Sequence, residues 1–211
     1  MPSKKRVRPV EKNDGRKRLL DAAVRWLETN SEVDLRMATI AADAGVTIAL
    51  ITHHFGSRDG LIEAAQRVRV QGAAARDIAF IQEALANPVT VDEFRLKLEE
   101  MMRAILDDSR AKFRLARLSA LGSAHGREEL KAELAEEVTA VLSAVSDTVE
   151  RAQWRGVFRD DIDPRAAATY IQAVHLGVVL ADLDEKAADW EKILHVMMRA
   201  LDSLLMPSTT E

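Results

Sequence analysis

From Arg16 to the last turns of this chain, apolar residues return at intervals of three and four, and no strand-length run of alternating apolar and polar residues breaks the rhythm. Leu19, Leu20, Ala23, Trp26 and Leu27 share one helical face, and "ETNSEVD" (28–34) interrupts it with turn formers. "MATIAADAG" (37–45) reads as a short helix with Met37, Ile40, Ala41 and Ala44 inward and Gly45 as its stop. Thr47 has the chemistry of an N-cap for a second short helix running to about His54, which Gly56 ends. Ser57 then caps a long helix from about Arg58 to Ala86, closed by "NP" at 87–88.

Five more helices follow. Thr90 and Glu93 form a capping box ahead of Phe94, Leu98, Met101, Met102 and Ile105. A helix over 109–121 carries Phe113, Leu115 and Leu118. A long one over 127–155 repeats Leu130, Leu134, Val138, Val141, Val145 and Val149 before Gly156. Asp163 and Pro164 open a helix to about Leu183, and the last runs from about Lys186 to Leu205. There is no internal repeat. The expected fold class is all-α, with about nine helices.

Composition narrows the function classes. Apolar residues make up 47% and charged residues 30%, which fits a folded soluble domain. With no cysteine, disulfides, zinc–thiolate sites and thiol catalysis are excluded. The longest apolar run, "IQAVHLGVVLA" (171–181), is too short for a bilayer, and the basic N-terminus has no apolar stretch behind it. A cytoplasmic protein with no membrane partner is expected. Charge is unevenly placed: residues 1–69 hold 13 Lys/Arg against 9 Asp/Glu (net +4), whereas residues 70–211 hold 17 against 25 (net −8). Residues 1–18 alone hold 8 against 2, so the acidic chain has a basic leading end suited to a polyanion. Residues 1–14 read as a flexible arm that either solubilises the chain or follows a DNA minor groove.

"GVTIALITHHFGSRDGL" (45–61) admits three readings: two helices meeting at a corner, a histidine metal pair, or a helix for a DNA groove. Adjacent His53 and His54 point about 100° apart on a helix, which argues against one shared metal; no metal and no cofactor are expected. A helix-turn-helix needs a turn residue tolerant of positive φ, here Gly45, and a second helix whose N-terminal half enters the major groove. Val46, Ile51 and Phe55 have the spacing to face inward. Thr47, Ile48, Ala49, Leu50, Thr52 and His53 would face outward, the apolar ones against thymine methyls or simply buried.

Three segments carry a family likeness. "RLLDAAVRWL" (18–27), "IAADAGVT" (40–47) and "HHFGSRDGL" (53–61) stand in the order and spacing of the TetR family of bacterial transcriptional repressors, which the N-terminal region resembles. The resemblance implies a dimer of helical subunits: a helix-turn-helix domain over 15–60 and a ligand-binding and dimerisation domain over 61–211. It places Arg36, Thr47, Ile48, Ala49, Leu50, Thr52, His53, His54 and Arg58 at the DNA. Departures are Ala49 for the usual Gly, Thr52 for a phosphate-contacting Tyr, Arg58 for Lys, and Arg36 for a Thr cap, with consequences for the DNA sequence read.

The partners implied are a palindromic double-stranded DNA operator, a second copy of the chain and a small-molecule effector. The resemblance pairs the last two long helices across the dimer, and Ile171, Val174, Val178, Trp190, Ile193, Met197 and Leu201 are its candidate contacts. Phe80, Met101, Met102, Phe113, Trp154, Phe158, Tyr170 and His175 are candidate ligand contacts, though such residues also serve as plain core. The effector would bind best to a conformation in which the two DNA-reading heads have the wrong separation, with the 58–86 helix as lever. A phosphate loop, HExxH and paired buried carboxylates are missing, and Ser119 or Ser123 near His125 is a weak pair, so an enzyme is not expected. The competing reading is a ligand-binding or protein-interaction dimer with a degenerate DNA-binding head.

Overall fold

The computed structural model describes residues 12–85, 90–184 and 189–206. Among them all regular structure is helical, and the nine expected helices are present, two of them split in two. The ends expected near Pro88 and Lys186, and residues 1–11 of the arm, lie outside the described residues. Among the described residues no helix is long and apolar enough to cross a membrane. The chain divides into two compact units, one ending at Arg69 and one beginning at Val70.

The first unit is built from α1 (Lys12–Thr29), α2 (Met37–Asp43), α3 (Ile48–Phe55) and α4 (Arg58–Val70), whose last residue opens the second unit. Its core is Leu19, Ala23 and Leu27 of α1, Ile40 and Ala41 of α2, Ile51 of α3, and Leu61, Ile62 and Ala65 of α4. Because α4 supplies three of these residues, it belongs to the head. Helix α1 begins at Lys12, so residues 12–14 are part of a helix and not of the arm. Asp14 in its first turn complements the helix dipole. Gly15 follows, buried, because Leu50 Cδ2 lies 2.7 Å from where a Cβ would stand.

The turns are set by backbone chemistry. Helix α2 ends in a Schellman motif: Gly45 N–H donates to the Ala42 carbonyl and Val46 N–H to the Ala41 carbonyl, with Gly45 at φ +63°. Helix α3 ends at Gly56, φ +74°. The Ser57 hydroxyl accepts the Gly60 N–H at 3.0 Å, as expected of a cap. Gly60 itself is required by space, since a Cβ there would lie 2.1 Å from the Phe55 carbonyl oxygen.

The second unit comprises α5 (Ala73–Ala84), α6 (Val91–Leu106), α7 (Ala111–Ser123), α8 (Glu128–Trp154), α9 (Pro164–Gly177), α10 (Val179–Asp182) and α11 (Trp190–Leu205). The expected 58–86 helix is broken at Gln71–Gly72, where Gly72 adopts the left-handed conformation at φ +73°. The expected 164–183 helix is interrupted at Val178. The Thr90–Glu93 capping box forms in both directions, and the Asp163 carboxylate caps α9 by accepting the Ala166 N–H at 2.7 Å. Along α8, Leu130, Leu134, Val141, Val145 and Val149 are buried, and Phe94 meets Phe158 edge to face at 4.6 Å.

One ion pair in this unit is buried. The Arg114 guanidinium grips both Asp182 oxygens, at 2.7 and 2.5 Å, and also donates to the Ile105 and Asp107 carbonyls. Its face lies over the Trp190 ring, whose indole N–H donates to Asp108 at 2.7 Å. Such a pair is tolerated inside because nearly every donor has a partner. It ties α7 to α10 and to the C-terminal end of α6.

Helix propensity alone would have Gly60→Ala stabilise α4 by about 1 kcal/mol. The clash with the Phe55 carbonyl reverses the sign: the variant is expected to lose about 1–3 kcal/mol of unfolding free energy, measured by urea titration of tryptophan fluorescence.

Candidate functional site

In the first unit, α3 presents a continuous exposed arc of Ile48, Ala49, Thr52 and His53, while Ile51 on the opposite side is fully buried. Thr47 stands at the N-cap position in extended geometry, but its hydroxyl makes no capping bond and stays outward. Arg36 precedes α2 in the same way, exposed and without a side-chain capping bond. The outward-facing residues are therefore small, hydroxylated or apolar apart from the His53 imidazole, with Arg36 at the flank. That chemistry suits thymine methyls and phosphate oxygens better than guanine edges.

Three residues assigned to this face do something else. Leu50 is half-buried and packs on the head core, its Cδ2 filling the space that Gly15 leaves open. His54 is half-buried, its ring between those of His53 (4.8 Å) and Phe55 (6.3 Å). Arg58 is spent on the loop between α1 and α2: its guanidinium donates to the carbonyls of Glu32, Val33 (3.0 Å) and Leu35 (2.7 Å). Three carbonyls of one loop held by one side chain make Arg58 a clamp. Sequence reasoning missed this, because nothing local ties residue 58 to residues 32–35. It also missed Arg16, whose guanidinium lies 5.3 Å over the Phe55 ring beside the end of α3.

The second unit encloses a cavity of about 60 Å³ between α5, α6, α8, α9 and α11. Phe80, Met101, Met102, Phe158 and His175 line it, together with Ile81, Phe94, Leu98 and Ile105. Phe113, Trp154 and Tyr170 do not; they are 66%, 86% and 46% exposed. Each sits on the outer side of its helix, a distinction that residue type cannot carry. The candidate dimer contacts are packed, wholly or in part, within the subunit. Ile171, Val174, Met197 and Leu201 line the cavity, Val178 is buried in the core, and Trp190 and Ile193 pack against it. Much of the apolar arc of α11 is thus used within its own subunit, while Val196 on its other side stays exposed.

The polar residues of the cavity wall are Asp77, Arg110, Thr148, Gln172 and His175, and Arg110 acts electrostatically on both Asp77 and His175. Burial, with Arg117, Arg110 and Arg114 nearby, pushes the His175 imidazole down to about 4, so the ring is neutral at pH 7. Burial pushes the Asp77 carboxyl up against the opposing pull of Arg117, Arg110 and Arg76.

A helix-turn-helix head and a separate helical unit around a small, mostly apolar cavity define a class of protein, and comparison with known proteins specifies it. Residues 19–65 match the family described as bacterial regulatory proteins, tetR family. The HTH-type transcriptional regulator BetI of Brucella anthropi is 44% identical over 52 residues, 25% of this chain and 27% of that protein. The BetI of Stenotrophomonas maltophilia is 38% identical over 64 residues, 30% and 31% of the two chains. The alignable stretch thus spans under a third of the length of these curated relatives. Solved structures share the whole fold: a putative TetR-family transcriptional regulator from Rhodococcus sp. (TM-score 0.63, 24% identity, 92% of this chain and 99% of that one). So does a putative transcriptional regulator from Saccharomonospora viridis in complex with choline (TM-score 0.72, 18% identity, the same coverage). The N-terminal domain thus matches the TetR family model, and the fold of the chain is that of these structures.

The neutral, buried His175 has a consequence for stability. Its folded value near 4 lies below the unfolded value of 6.5, so its contribution is complete above about pH 6.5 and is lost as pH falls towards 4. The loss amounts to at most about 3 kcal/mol. His175→Gln should flatten the difference in unfolding free energy between pH 7 and pH 4.5 relative to the parent chain, measured by urea titration at both.

Proposed function

We propose that this chain is a ligand-responsive transcriptional regulator, a repressor that binds a palindromic operator as a homodimer and is released by a small molecule held in the cavity. The observation that carries the reading is the exposed arc of α3. Ile48, Ala49, Thr52 and His53 project from a helix whose other side is anchored by Ile51, with the Thr47 hydroxyl uncommitted at its start. A folded protein has no structural need for such an arc beside a turn held by Gly45, and a major groove accepts it. Arg36 is retained as a flanking phosphate contact, whereas Leu50, His54 and Arg58 are not assigned to DNA. Salt-dependent affinity would come from Arg36, Arg16 and the basic arm.

Dimerisation is assigned to a different face from the one the apolar pattern suggested. Ala166, Thr169, Tyr170, Ala173, Leu176, Gly177 and Leu180 form one exposed stripe along α9 and α10, small in the middle and apolar at its ends. A stripe of that kind allows close approach of the same helix from a second copy. Two heads would then read half-sites about 34 Å apart. Effector release follows if the ligand prefers the conformation in which the heads do not fit the operator, a coupling of about 1–3 kcal/mol.

Selection of duplexes from a random pool should return an inverted repeat whose affinity falls steeply with salt; failure to enrich any duplex by folded dimer would favour the degenerate head. Thr52→Ala and Ile48→Ala should each weaken that binding about tenfold without altering the unfolding midpoint. Gly177→Arg should convert dimer to monomer in sedimentation and abolish operator binding; a dimer that survives would refute the α9–α10 face.

A further inference from the structure

The polar part of the cavity wall restricts the charge of what can bind, an inference that rests on reading this cavity as the effector site. Most of the wall is hydrocarbon, so the few polar groups decide orientation. Thr148 is already used, donating to the Ala144 carbonyl at 2.8 Å and accepting from Arg151 at 3.0 Å. The Asp77 carboxylate is held by Arg117 at 3.3 Å. Arg110 is different. Its guanidinium lies 5.2 Å over the Phe80 ring, and among the described residues no carboxylate stands within ion-pair distance of it.

A cationic ligand would meet poor terms here. The one carboxylate in the wall is paired, Arg110 and Arg117 both act on that carboxylate, and Arg110 occupies the aromatic face that a quaternary ammonium would seek. An anion meets the reverse: a guanidinium without a carboxylate partner, with the Gln172 amide and the His175 imidazole in the same wall as neutral hydrogen-bonding groups. Size adds a second restriction. About 60 Å³ is well below the 150 Å³ of an engineered cavity that holds benzene. The body must be short, or Met101, Met102 and Met197, unbranched and adaptable, must move aside for it.

We propose that the cavity selects a compact amphipathic carboxylate, its carboxylate paired with Arg110 and supported by Gln172 and His175, and its short hydrocarbon tail laid against Phe94, Phe158 and Met101. Ligands of this class are monoanions with a tail of a few carbons, and a choline-like cation is disfavoured.

The test is heat unfolding of the full chain at pH 7.5 and fixed ionic strength with hexanoate, hexanol or hexylammonium. Hexanoate at about a hundred times its dissociation constant should raise the midpoint by roughly 5–10 °C, and hexylammonium should leave it unmoved. Arg110→Gln should weaken hexanoate at least about tenfold while leaving any hexanol effect intact, and Arg110→Lys should retain the preference for hexanoate over hexylammonium. Stabilisation by hexylammonium or hexanol in excess of hexanoate, or hexanoate binding indifferent to Arg110→Gln, overturns the carboxylate assignment and leaves the effector site standing. If none of the three moves the midpoint, the effector-site reading falls with it.

Discussion

The carbonyl oxygen of Phe55 lies where a side chain at residue 60 would have to begin, and the geometry of the DNA-reading head rests on that approach. With glycine at 60, the last residue of α3 sits against the third residue of α4, and the chain turns between them through the positive-φ Gly56. Ile51 is then buried, Leu50 is turned onto Gly15, and Ile48, Ala49, Thr52 and His53 are left outside. Arg58 holds the neighbouring loop by its carbonyls at the same corner. A helix of eight residues has little stability of its own. Its direction is therefore a property of its packing, and so is the set of side chains it shows.

The second unit handles polarity in two opposite ways. At Arg114 and Asp182 the charges are buried and matched, donor to acceptor, so the pair acts as a fixed joint between α7 and α10. In the cavity the balance is looser: Asp77 is paired with Arg117, Arg110 lies over the Phe80 ring with no carboxylate within ion-pair distance among the described residues, and His175 stays neutral because burial and three guanidiniums oppose its protonation.

The last helices show why apolar count alone does not tell which faces are covered within the subunit. Helix α11 has more apolar residues than one stripe needs, yet Leu194, Met197, Leu201 and Leu205 are buried within the subunit, and its outer side carries Lys192, His195, Val196 and Arg199. Helix α9 has fewer large residues, and its outer side is the smoother one. Ala166, Ala173 and Gly177 on that side leave room for close approach of another helix. Which of their neighbours would already be covered was not legible in the sequence.

Local signals carried the all-α class, most helix starts and stops, and the turn–helix–turn of residues 45–60, because capping, glycine conformations and 3.6-residue periodicity act within a few residues of chain. The break at Gly72 was equally local, but an unbroken helical pattern on both sides masked it. Beyond that range the sequence is silent. Whether Phe113, Trp154 and Tyr170 face inward, whether Arg58 meets a phosphate or three carbonyls, and whether Ile171 and Val174 meet a second copy or a cavity depend on contacts between residues far apart in the chain. Helical periodicity names a face; only the tertiary structure decides what that face is covered by, since burial of one side chain is conferred by all the others around it.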